Sequence, residues 1–250
     1  KIHQLTTVID ITDRKLAELK IHDSERLLNE SQRVSKIGSY ILDIPQGYWE
    51  GSNYLNEMFG VNSGKKHSVK EWLDVIHPDD QEMMGYYLTN EVMKNKSLFD
   101  KEYRIINQIN LQETWVHGYG ELEFDPQGNP IRMIGTIQDI TDRMKSTEEF
   151  MKLTMAVEQS PDSIIITDPR GNIEYSNPAL QKLSGYTREE LIGKSQLILG
   201  SGKMTRSEYT NLWRTINNGR VWHGEFRNKK KNGELFWQSA TISPIFDKKG

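Results

Sequence analysis

One nine-residue stretch constrains this chain more than any other: Gly135–Arg143, Gly-Thr-Ile-Gln-Asp-Ile-Thr-Asp-Arg. Its last five residues, Asp139–Arg143, occur once before, at Asp10–Arg14. The copies start 129 residues apart, too far for a solenoid repeat and about right for one small domain plus a connector. Met133, Gly135, Ile137 and Asp139 alternate with Ile134, Thr136 and Gln138, the period of a strand covered in part on both faces. Asp139-Ile140-Thr141-Asp142 then ends that strand, and Thr141 or Asp142 is placed to cap a polar helix over Arg143–Glu149. The spacing therefore predicts a last strand that passes directly into a linker helix, used twice.

The remaining residues bound the chemistry. At 250 residues the chain has the length of two ordinary domains. A net charge of −3 gives no electrostatic case for nucleic acid or an anionic membrane surface. The absence of cysteine excludes disulfides, thiolate metal sites, a cysteine nucleophile and a flavin–cysteine photoadduct. No apolar run approaches the roughly 20 residues that span a bilayer. The chain opens in mid-strand at Lys1, which marks it as a segment of a longer protein.

Taken in order, residues 1–23 read as the tail strand (Ile2–Ile11) and linker helix (Thr12–Ile21) of a preceding repeat. Asp23 or Ser24 is placed to cap a second helix, Glu25–Lys36. Residues 24–142 read as a complete domain: a hairpin across Pro45-Gln46-Gly47, several short helices, then strands at Phe99–Asn107, Glu113–Phe124 and Ile131–Asp139. Residues 143–157 form a linker helix. Residues 158–250 repeat the order of the first domain but stop one strand short.

His77-Pro78-Asp79-Asp80, Glu102-Tyr103-Arg104, Trp115-Val116 and the closing Gly-x-x-x-Asp-Ile-Thr resemble one subclass of the PAS sensor family. Asp168-x-x-Gly171-x-Ile173-x-Tyr175-x-Asn177, Ser184-Gly185-Tyr186, Glu189–Lys194 and Trp222-x-Gly224-Glu225-x-x-Asn228 resemble it again. The resemblance implies an α+β class with two PAS folds. Each would be a five-stranded antiparallel sheet with short helices on one face, joined by linker helices, the second incomplete at its C-terminus.

The middle of the second domain, Leu197–Trp213, resembles FAD-binding redox PAS domains of bacterial nitrogen-fixation, aerotaxis and methane-monooxygenase sensors. By that resemblance Trp213 flanks a flavin and Asn228 bonds its pyrimidine edge. A flavin needs a flat apolar slot, for which Ile164, Ile166, Leu197, Ile198, Leu199 and Trp213 are the candidates. It also needs amide donors and acceptors, for which Asn228 and Gln238 are the candidates. Two positions depart from the nitrogen-fixation pattern: the switch Glu is Gln196 and its first-strand Ser partner is Ile165. Gln196 can still bond the flavin but cannot change charge. No cofactor is expected in the first domain.

The other conspicuous residues have plainer readings. His77, Asp79-Asp80 and Glu189-Glu190 sit where helix starts favour caps and acids. Lys229-Lys230-Lys231 reads as a solvated hairpin tip, and Gly200-Ser201-Gly202 lacks phosphate-loop spacing. No nucleophile–base set is present, so no enzyme is expected within these residues. The implied function is a cytoplasmic sensory segment of a histidine kinase, homodimeric through its linker helices and serving an output domain outside the segment. Two alternatives stay open: a cofactor-free relay and dimerisation module, and the regulatory part of a diguanylate cyclase or phosphodiesterase.

Overall fold

The computed structural model describes residue 10 and residues 12–246; the tail strand expected over Ile2–Ile11 lies outside them apart from Asp10. The chain divides into two compact units between Thr147 and Glu148. Each is described by itself.

The first unit opens with one continuous helix, α1 (Thr12–Ser35), in place of the two expected from the His22-Asp23-Ser24 break. Asp and Ser lower helix propensity by only a few tenths of a kcal/mol, and without Gly or Pro nothing stops the backbone ladder. The helix buries none of its side chains: Leu16, Leu27 and Val34 lie 51, 65 and 86% exposed. A hairpin follows, β1 (Ile37–Asp43) and β2 (Tyr48–Gly51). Then come α2 (Asn53–Phe59), the two-residue β3 (His67–Ser68), α3 (Val69–Val75) and α4 (Pro78–Tyr86). Helix α4 continues as a wider π-helical segment, Tyr87–Lys94, which buries Leu88 and Val92.

Strands β4 (Phe99–Ile106), β5 (Glu113–Phe124) and β6 (Pro130–Asp139) complete an antiparallel sheet of order β3-β2-β1-β6-β5-β4. The last strand in sequence thus lies in the middle, paired with β1 on one side and β5 on the other. At the β5–β6 crossing Gly120 faces Gly135, and the Tyr40 hydroxyl lies where a Cβ on either glycine would go. Short helices cover one face, and Tyr40, Leu55, Phe59, Phe99, Tyr103 and Val116 are buried between.

Helix α5 (Thr141–Glu158) follows β6 after a single residue. The cap expected from Thr141 or Asp142 comes instead from Asp139, whose Oδ1 accepts from Thr141 N at 2.9 Å. Thr141 Oγ1 accepts from Trp115 N at 3.1 Å, and Lys36 pairs with Asp142 at 2.7 Å.

The second unit repeats the order with fewer strands. Hairpin β7 (Ile165–Thr167) and β8 (Ile173–Ser176) precedes α6 (Pro178–Ser184), α7 (Arg188–Leu191), a 3-10 turn over Gln196–Leu199 and α8 (Arg206–Asn217). A second hairpin, β9 (Trp222–Lys229) and β10 (Leu235–Ile242), ends it. The two hairpins form separate sheets. In the first unit the corresponding hairpins are joined by β6; among the described residues no strand takes that place here. The buried cluster is accordingly small, Ile173, Leu180, Leu191 and Leu199, and the inner face of β9–β10 stays half-buried.

Candidate functional site

The first unit encloses a cavity of about 40 Å³ lined by Tyr40, Trp49, Trp72, Phe99, Tyr103 and Met133 among others. The lining is almost wholly apolar. Tyr40 Oη, buried against the paired glycines, has no hydrogen-bond partner among the described residues, and burial pushes its pKa up. Tyr103, also pushed up by burial, accepts from Trp72 Nε1 at 3.4 Å. At the edge of this core Asp80 accepts from Arg104 N, Nε and Nη2 at 3.0, 3.0 and 2.6 Å. His77 caps α4 by accepting from Asp79 N, as the plain reading of that motif requires.

In the second unit the Asp168–Asn172 turn is built by Asp168 Oδ1, which accepts from Arg170 N and Asn172 N at 2.8 Å each. That turn places Gly171 at φ +83°, a left-handed conformation that disfavours any side chain. Gln196 N donates to Gly171 O at 2.9 Å. A Cβ on Gly171 would lie 3.6 Å from Gln196 Nε2 and 3.9 Å from Trp213 Cζ2. The turn therefore brings Gln196 and Trp213 to one glycine.

The 3-10 turn carries the chain from Gln196 to Leu199, which is buried with Ile173 and has Ile165 packed beside it. The next residue, Gly200, bridges to Asn228 on β9, and Ser201 Oγ donates to Arg227 O. Asn228 Nδ2 donates to Gln238 Oε1 at 3.0 Å. Asn228 Oδ1, Gln238 Nε2 and the Gln196 amide are uncommitted among the described residues. All six expected site residues, Gln196, Trp213, Leu199, Ile165, Asn228 and Gln238, thus fall on or beside the seam from Gly171 through the 3-10 turn to β9–β10.

Two expected slot walls do not. Ile166 is 38% exposed and Leu197 60% exposed, because strand alternation sends Ile165 inward and Ile166 out, and the 3-10 turn points Leu197 to solvent. Apolar surface comes instead from half-buried Trp222, Phe226 and Phe236 on the inner face of β9–β10, Trp222 stacked on Phe226 at 5.2 Å. The strict alternation of Trp222, Gly224, Phe226 and Asn228 carried that signal. Among the described residues no three acidic, His or Cys side chains gather as a metal site, and no helix is long and apolar enough to cross a membrane.

The PAS fold model matches residues 48–137, and the PAS domain model matches residues 161–250. The chain belongs to the PAS family. It holds two PAS domains, the first placed within the first unit and the second within the second. The chain is 32% identical over 94 residues to the nitrogen fixation regulatory protein of Klebsiella oxytoca, covering 38% of this chain and 19% of that one. It is 35% identical over 97 residues to hybrid signal transduction histidine kinase L of Dictyostelium discoideum, covering 38% of this chain and 5% of that one. Sensor protein FixL of Bradyrhizobium diazoefficiens is 24% identical over 222 residues, 84% of this chain and 43% of that one. The chain therefore spans less than half the length of each relative. It is a PAS signal-transduction segment of the kind such larger proteins contain.

Proposed function

We propose that this tandem is the cytoplasmic sensory segment of a histidine kinase whose second PAS domain senses redox state or oxygen through bound FAD. One observation carries the reading. The Asn228–Gln238 amide pair lies on a half-buried inner sheet face and keeps one acceptor and one donor free. That is the complement a flavin's pyrimidine edge requires, and Phe226 and Phe236 offer apolar surface beside it. A bound flavin supplies a ring whose hydrogen-bonding demand changes with its oxidation state.

The chain's own residues do the rest. Gln196 carries an amide that can donate or accept by turning over, with its backbone held to Gly171. Trp213, edge-on to Tyr209 at 6.2 Å, closes the helical side. Replacing Gln196 by Leu should leave FAD bound and uncouple its redox state from the linker helix.

The first domain, its core packed by its own side chains around a small cavity, fits a relay. The exposed Leu16, Leu27 and Val34 of α1 suit a homodimer through helices, with residues 143–157 as the connector to the second domain.

The test is the visible absorption of the purified chain. Bands near about 450 nm that bleach with dithionite and return in air support the reading. A protein colourless even after incubation with FAD overturns it in favour of a cofactor-free relay.

A further inference from the structure

The last turn of α5 is held by side chains of the second PAS domain. Glu158, its final residue, accepts from Tyr175 Oη at 2.7 Å, and Arg188 Nη1 stands 3.8 Å from the same carboxylate oxygen. The Arg188 guanidinium also lies over the Tyr175 ring, 5.2 Å from its centroid. Asn177, fully buried, donates through Nδ2 to Val157 O at 3.2 Å and Asp162 O at 2.8 Å. Its Oδ1 accepts from Ile164 N and Leu180 N at 2.9 and 3.2 Å.

A carboxylate at a helix C-terminus opposes the helix dipole. Tyr175 and Arg188 answer that charge at Glu158, so they contribute to the stability of the last turn of α5. The Val157 carbonyl, which accepts from Ser160 N at 3.3 Å, takes a second bond from Asn177.

Tyr175 and Asn177 mark one end of β8; the other end is the Gln196 loop. There Gln196 N bonds Gly171 O, Ile173 N bonds Lys194 O at 2.8 Å, and Asn172 bridges Ser195. Three residues, two of them in β8, separate Gly171 from Tyr175, at most about 14 Å of chain. A displacement of the 194–196 loop must therefore move the strand that positions the Tyr175 hydroxyl.

We propose that Tyr175, with Arg188, is the latch through which β8 passes the state of the Gln196 site to helix α5, by holding or releasing Glu158. The redox half of this proposal rests on the FAD reading above; the latch does not. The test is amide hydrogen exchange over Met155–Glu158 in the full chain, for the native sequence, Tyr175→Phe, Glu158→Gln and the double variant.

Tyr175→Phe should speed exchange there about three- to tenfold, and the double variant should add nothing beyond the single ones. Unchanged exchange in Tyr175→Phe, or additive effects, overturns the latch. In the FAD-loaded chain, dithionite should change exchange at Met155–Glu158 in the native sequence and not in Tyr175→Phe. Bound FAD whose reduction leaves that segment unchanged overturns the coupling. A chain that takes up no FAD removes the flavin reading, and the latch is then decided by the variant series alone.

Discussion

Asn228 and Gln238 face each other diagonally across the β9–β10 pair, with Nδ2 donating to Oε1 at 3.0 Å. In the first PAS domain the middle strand β6 seals the sheet and buries its inner face. In the second, the described strands leave this amide pair half-buried, where a ligand edge can reach it.

Replacing Asn228 by Ala removes both the bond to Gln238 and the free acceptor. FAD affinity should fall about tenfold, roughly the worth of one or two hydrogen bonds, while stability changes by less than about 1 kcal/mol at this half-buried site. Titration of flavin fluorescence against chemical denaturation separates the two effects. Intact FAD affinity in Asn228→Ala would remove Asn228 from the site.

Asp80 gives the first domain an acid-sensitive bond. The Arg104 side chain, followed by its backbone N–H, holds the Asp80 carboxyl below the usual carboxylate range. A depressed folded pKa contributes stability that is complete above the unfolded value of about 4 and lost as pH falls through the folded value. Asp80→Asn should cost about 1–3 kcal/mol at neutral pH and flatten the fall in melting temperature below about pH 4. Parallel melting curves for variant and native protein across that range would rule this out.

The Gly120–Gly135 crossing makes opposite predictions for two neighbours. A Cβ on Gly135 would collide with Tyr119 O and lie 2.7 Å from Tyr40 Oη and 2.8 Å from Gly120 Cα. Two of those three atoms are backbone and cannot step aside, so Gly135→Ala should cost about 3 kcal/mol or more. Tyr40→Phe removes a buried hydroxyl that has no partner, and should be neutral or stabilising by up to about 1 kcal/mol. Urea unfolding of both variants checks the pair; a destabilised Tyr40→Phe would show that the hydroxyl is satisfied.

The elements themselves were largely legible. Glu113–Phe124 has the expected bounds because its alternation and flanking turns lie inside its own few residues. The break expected at His22-Asp23-Ser24 failed for the converse reason: capping residues permit a helix to end but do not force it. Apolar character makes Ile166 and Leu197 candidates for a flavin slot, but their phase within strand and turn puts them in water.

By itself the sequence determined the order of strands and helices, and its motifs carried the resemblance of both domains to the PAS family. The order of elements follows from short-range chemistry, in periodicity, turns and caps written within four or five residues, whereas the PAS assignment rests on motifs shared with the family. Only the tertiary structure decided that Glu158 meets Tyr175 and Arg188, that Asn177 holds the end of α5, and that Tyr40 sits unpartnered over two glycines. These pairs lie 17 to 95 residues apart in the chain. No local pattern records them, because it is strand pairing and burial that bring their partners within reach.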